Sequence, residues 1–99
     1  MTNSKDPSEY IESGKTKFEA KDYEGAISDF TKAIELNPKH ESAYYNRGTA
    51  KADLEDYEEA ISDYDKAIEL NSRFSKGYYN RGVLKKKSGD TEGAITDYD

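Results

Sequence analysis

The chain has 99 residues, enough for one small domain or a short repeat array, and it has no Cys, so neither a disulfide framework nor a thiolate metal site can form. Its formal net charge of −6 speaks against general nucleic-acid binding, where a basic surface supplies most of the affinity. No apolar run approaches the roughly 20 residues of a membrane span, and the polar stretch from Met1 to Asp6 lacks the apolar core of a signal peptide; a cytoplasmic protein without membrane contact is therefore expected.

Taken in chain order, residues 1–6 read as a disordered tail, followed by helical pairs. Asp6-Pro7-Ser8-Glu9 opens the first pair, with Asp as N-cap, Pro at the first helical position and Glu reaching back as a capping box. Tyr10, Gly14 and Phe18 mark the inner face of that first helix. Asp22 stands before a second helix whose apolar positions, Tyr23, Ala26, Ile27, Phe30, Ala33 and Ile34, fall at steps of three and four along one face. Pro38 ends the pair, closing a unit at residues 7–40. The next unit, 41–74, repeats the plan: Tyr44, Gly48 and Lys51 on its first helix, Asp56 in the capping slot, then Tyr57, Ala60, Ile61, Tyr64, Ala67 and Ile68. A third unit, 75–99, has Tyr78 and Gly82, a left-handed helix cap expected at Gly89, Asp90 in the capping slot, and Ala94 and Tyr98; it stops inside its second helix.

These units are copies. Gly14, Gly48 and Gly82 recur every 34 residues, as do Ala26, Ala60 and Ala94, and Phe30, Tyr64 and Tyr98. A Gly within a helix costs about 1 kcal/mol against Ala. Keeping that cost in every unit implies that the second helix approaches closely there, with its Ala at the same contact. An array normally ends in a polar capping helix. Its absence leads to the expectation of a fragment of a longer array, or of an end covered by a partner or by a second copy through Ala94, Ile95 and Tyr98.

The Tyr, Gly, Ala, aromatic and Ala positions, with Pro38, resemble the tetratricopeptide repeat family from about Pro7 to Asp99. The resemblance implies an all-α fold: a right-handed α-solenoid of antiparallel helix pairs, with two full units and a partial third. It also implies a protein–protein interaction scaffold, no enzymatic activity and no cofactor, with the first helix of each pair lining a concave groove. Two departures stand out. Arg47 and Arg81 occupy a slot usually given to Leu, which Ser13 fills in the first unit, and Ser72 replaces the second Pro.

Helical spacing then selects the groove residues: Ser8, Ile11, Glu12, Lys15 and Glu19; Ser42, Tyr45, Asn46, Thr49 and Asp53; and Lys76, Tyr79, Asn80, Val83 and Lys87, with Lys86 beside them. Lys15, Tyr45, Asn46, Thr49, Lys76, Tyr79, Asn80, Val83 and Lys87 are the expected contacts to a peptide segment of a partner. Tyr45 and Tyr79 each follow the Tyr that fills the core stripe, so they suit either recognition or packing between neighbouring first helices. Asn46 and Asn80 can serve a peptide backbone or bond between repeats. One branch of the family holds acidic C-terminal tails of chaperones in a carboxylate clamp. Asn46 and Lys76 match that pattern, whereas Ile11, Lys15 and Asn80 stand where it has Lys, Asn and Arg. A degenerate clamp and self-assembly through the last unit are the alternative functions.

Other motifs reduce to structure. Gly14-Lys15-Thr16 resembles the end of a phosphate-binding loop, but Glu9 stands where another Gly is required and the segment is helical. His40 is the lone His and, without Cys, makes neither a zinc site nor a triad, so no metal is expected. Asp29, Asp63 and Asp97 are expected on a solvated face or paired with Lys or with Arg47 and Arg81. Lys85-Lys86-Lys87 reads as surface charge within reach of an acidic ligand or RNA.

Overall fold

Asp6 fixes where the first helix begins. Its carboxylate accepts the Glu9 amide at 3.0 Å, and the Glu9 carboxylate accepts the Asp6 amide at 3.0 Å, so two donors left over at a helix start are satisfied reciprocally. The computed structural model describes residues 6–89, in which α1 spans Pro7–Glu19, α2 Tyr23–Leu36, α3 Glu41–Asp53, α4 Tyr57–Leu70 and α5 Ser75–Lys87. Each helix packs against the next in antiparallel order, and no strand occurs among the described residues. Ala94, Ile95, Tyr98, Asp90, Asp97 and residues 1–5 lie outside the described residues.

The turn inside each pair is tight. After α1, the Lys21 amide donates to the Phe18 carbonyl at 2.9 Å and the Asp22 amide to the Lys17 carbonyl at 2.8 Å; after α3, Glu55 and Asp56 bond to Ala52 and Lys51 in the same way, both at 2.9 Å. This paired closure needs a left-handed residue, and Lys21 and Glu55 supply it at φ of 65° and 64°, with Gly89 at 98° in the equivalent place. Only the third was legible as glycine. Asp22 then caps α2 through its carboxylate to the Gly25 amide at 3.0 Å, whereas Asp56 makes no side-chain cap. The expected equivalence of the two therefore does not hold; Glu59 stands where α2 has Gly25.

Between pairs, Asn37 and Asn71 hold the turn. Their side-chain oxygens accept the Lys39 and Arg73 amides, each at 3.1 Å. The turn therefore survives the exchange of Pro38 for Ser72, because asparagine builds it.

Glycine meets an aromatic ring, joined at Gly48 by the backbone of the expected alanine, Ala60. A Cβ on Gly14 would stand 2.5 Å from Phe30 Cε1, and one on Gly48 would stand 3.0 Å from the Tyr64 ring. Ala26, Ala33, Ala60 and Ala67 are fully buried beside these rings, as expected. The sequence stripe missed Ala43 and Ala50 of α3, whose small side chains let the second unit settle on Phe30 and Ala33 of the first.

Two carboxylates are buried in this core: Asp29 is 7 % and Asp63 4 % exposed, so neither lies on the solvated face. Asp63 receives both edges of the Arg47 guanidinium, Nε at 2.8 Å and Nη2 at 2.7 Å, with Lys51 Nζ at 3.3 Å. The same guanidinium donates Nη1 to Thr31 of α2 at 3.3 Å, and Arg81 reaches Asp65 of α4 at 2.6 Å. The hydrogen bond to Asp63 is the main cause raising the Arg47 pKa above its ordinary value, against an opposing effect of burial. Asp29 is met by Ser13 at 2.6 Å and Lys17 at 3.0 Å. The departure from Leu at this slot is thus matched by a buried Asp on the facing helix, sixteen residues on.

Candidate functional site

Three of the expected contact residues converge. Lys15 from α1 and Asn46 and Thr49 from α3 surround a half-open cavity of about 120 Å³, together with Glu19 and with Phe18 and Phe30. The helical register explains the meeting: Lys15 and Glu19 are one turn apart on α1, and Asn46 and Thr49 are three apart on α3. Phe18 and Phe30 turn ring atoms toward this space because Gly14 draws Phe30 up against α1. The cavity therefore has an aromatic floor and a polar rim with both signs of charge. The Asn46 amide makes no hydrogen bond within the described residues, which leaves its donors and acceptor to solvent or a ligand.

The neighbouring candidates do other things. Tyr45 packs against Tyr64, with ring centroids 5.5 Å apart, and edge-on against Phe74 at 4.9 Å. Its hydroxyl accepts the Asn80 side-chain amide at 2.6 Å. Tyr45 thus fills the packing role, and Asn80 the bond between repeats. Thr49 Oγ1 lies 3.1 Å from the Tyr45 carbonyl and 2.9 Å from the Tyr64 hydroxyl, so the Thr49 side chain ties the cavity wall to the core. Burial pushes the Tyr64 phenol up to about 12; its bond to Thr49 lowers it somewhat, and Tyr45, Asp53 and Asp63 raise it. Asp53 turns towards α2: partial burial first, then the Asp53 charge and hydrogen bond, raise the Tyr23 phenol.

The slot shared by Ile11, Tyr45 and Tyr79 is the contact to the following repeat. Ile11 lies under α3 and is 6 % exposed, so it belongs to the core rather than to the groove. Tyr45 is half-buried under α5, and Tyr79 is 61 % exposed. On α5, Lys76 and Lys87 are exposed and Val83 is half-buried, on the face that carries Asn46 and Thr49 in the preceding unit. Phe18 and Phe30 were read only as core. The signal that could have found them is the exchange of Phe18 for Ala52 in the second unit, which places an aromatic floor in one repeat only.

Among known proteins, three family models match in overlapping stretches: "TPR repeat" over residues 14–54, and "Tetratricopeptide repeat" over 42–74 and again over 63–96. Curated protein sequences give no match. Among solved structures, the crystal structure of MamA superimposes with a TM-score of 0.92 at 25% identity, covering 94% of this chain and 54% of that one, so the chain spans about half the length of MamA. The first TPR of Spaghetti (RPAP3) bound to the HSP90 peptide SRMEEVD gives 0.93 at 29% identity, covering 98% of this chain and 77% of that one. Its second TPR, with the same peptide, gives 0.92 at 28%, covering 95% and 87%.

Proposed function

The chain belongs to the tetratricopeptide repeat family of all-α interaction modules, and from that premise we propose that it is a non-enzymatic scaffold whose concave face holds a peptide segment of a partner protein. The observation that carries this is the cavity between α1 and α3. Its aromatic floor offers an apolar side chain a place out of water, and Lys15, Asn46 and Thr49 supply polar groups at its rim. It is somewhat smaller than the roughly 150 Å³ cavity that takes up benzene, so a short aliphatic side chain is the natural occupant. Lys76, Tyr79, Val83 and Lys87 extend the surface along α5. Tyr45 and Asn80 contribute by holding α5 against α3 rather than by touching the ligand.

A second reading is supported by the two Spaghetti domains, which hold an HSP90 peptide with an acidic C-terminus. Asn46 and Lys76 could serve such a tail. Ile11 is buried and the Asn80 amide is engaged, so this chain would hold the terminal carboxylate with Lys15 and Asn46 alone. A third reading, self-assembly through Ala94, Ile95 and Tyr98, is consistent with the exposure of Tyr79 at the slot that contacts a following repeat.

The experiment is an amide-shift titration with peptides carrying an aliphatic residue, with free and amidated C-termini, on the wild type and on Asn46→Ala. Shifts at Lys15, Asn46 and Thr49 are expected. Asn46→Ala should raise Kd about five- to tenfold, with stability within about 0.5 kcal/mol because the side chain bonds to nothing else described. Binding lost on amidation would favour the tail reading. An absence of shifts, with mass rising with protein concentration, would favour self-assembly and refute the groove.

A further inference from the structure

The groove positions change charge from one repeat to the next. Ser8 and Ser42 give way to Lys76; Glu12 gives way to Asn46 and Asn80; Glu19 gives way to Asp53 and then Lys87. Lys15 runs the other way, but it stands three residues after Glu12 and four before Glu19, where helical neighbours of opposite sign offset it. The start of α1 adds a depression lined by Asp6, Ser8, Glu9 and Glu12. At the other end, α5 carries no acidic residue, and Lys76, Lys86 and Lys87 are exposed and form no ion pair among the described residues. The groove thus carries net negative charge at α1, where Asp6 and Glu9 add to Glu12 and Glu19 against Lys15, a single carboxylate, Asp53, at α3, and positive charge at α5.

We propose that this face selects an extended partner segment that is itself bipolar, with its basic residues over α1 and its acidic residues over α5. The inference rests on the peptide-groove reading above and adds the charge pattern and direction of the ligand. Helices pack about 10 Å apart, so α1 and α5 stand about 20 Å apart along the groove. An extended segment advances about 3.3 Å per residue, so its opposite charges are separated by about six residues. A uniformly anionic ligand would gain at α5 and lose at Glu12 and Glu19. The exposed acidic residues of α4 set the same penalty against a long polyanion such as nucleic acid. Exposed pairs of this kind contribute little affinity each, but together they fix which way a segment lies.

The probe is a blocked peptide of two Lys, a six-residue Ser/Thr/Val spacer and two Glu, with a nitroxide at its acidic end. It is compared with an all-Glu control of the same length. Amide shifts on α1, α3 and α5 are expected, with nitroxide broadening confined to the stretch from Lys76 to Lys87. Lys76→Glu with Lys87→Glu should raise Kd roughly three- to tenfold. Adding Glu12→Lys and Glu19→Lys should restore affinity and move the broadening to α1. Even broadening at both ends, equal or tighter binding of the all-Glu peptide, or indifference to the charge swap would overturn the polarity and leave the groove standing. If neither peptide shifts any of the three helices, the groove reading fails and this inference with it.

Discussion

Replacing Arg47 with Met removes a guanidinium that holds Asp63 through two short hydrogen bonds, 2.8 and 2.7 Å, while keeping a side chain of similar length. Asp63 is 4 % exposed and cannot turn to water. Breaking a buried ion pair from one side costs about 3–5 kcal/mol, because the remaining charge is left without compensation. Lys51 lies 3.3 Å from Asp63 and stays behind, so the cost shifts below that range, to about 2–4 kcal/mol. On a domain of this size that lowers Tm by roughly 10–25 °C. Replacing both partners, Arg47→Met with Asp63→Leu, removes the buried charge altogether and should sit within about 1 kcal/mol of wild type. Urea unfolding followed by circular dichroism on the four members of this cycle gives the coupling energy, expected at about 2–3 kcal/mol. A double variant as unstable as Arg47→Met alone would refute the assignment of the Arg47 slot to Asp63. It would mean that Arg47 acts through its packing on Tyr44, whose ring centroid lies 5.7 Å from the guanidinium carbon.

Three further outcomes are expected. Gly14→Ala puts a methyl against Phe30, where 2.5 Å separates the two, and should cost about 1–3 kcal/mol despite the better helix propensity of Ala; combining it with Phe30→Leu should recover part of the loss in the same unfolding assay. Lys21→Gly and Glu55→Gly relieve left-handed backbone at φ of 65° and 64° and should each stabilise by about 0.5–1 kcal/mol in thermal melts, offset in part by the entropy of Gly. Tyr64, held up at about 12, keeps its proton in the folded state after unfolded tyrosine has lost it near 10; stability is full below pH 10 and falls as pH rises from 10 towards about 12. Absorbance at 295 nm should show a late-titrating component that shrinks in Tyr64→Phe, leaving the smaller rise of Tyr23. Titration of Tyr64 with the other tyrosines would contradict the burial argument.

What was legible in the sequence was whatever a period can carry. The helix pairs, the second-helix core and the capping box at Asp6 followed from spacing, since each depends on residues three and four apart. The misses lie where a side chain answers to a particular neighbour. Asp56 sits in the slot of Asp22 but makes no side-chain cap. Lys21 and Glu55 adopt a glycine conformation because the paired backbone bonds of the turn demand it, whatever their side chains prefer. Asp29 and Asp63 were legible as partners of Lys or Arg47 but not as buried groups, because their burial depends on the facing helix that carries Ser13, sixteen residues before Asp29, and Arg47, sixteen before Asp63.

The candidate site follows the same logic one level up. A repeat position has a constant place in the fold, yet its exposure depends on what the next repeat sets on it. Ile11, Tyr45 and Tyr79 occupy one slot and are buried, half-buried and exposed in turn. A second aromatic beside the core stripe therefore carries no information about binding until its neighbour is known: Tyr45 spends its hydroxyl on Asn80, and Asn80 is thereby withdrawn from the ligand. Asn46 is the counterpart of Asn80, but the slot before it on α1 holds Ile11, which offers no acceptor. The Asn46 amide is left facing the cavity for that reason. On the proposed reading, Ile11 is what leaves the Asn46 amide to a polar ligand at α3, and a tyrosine there would remove that capacity. Ile11→Tyr is accordingly the substitution that should engage Asn46 and weaken peptide binding, at a cost of about 1–3 kcal/mol for enlarging a buried side chain between α1 and α3.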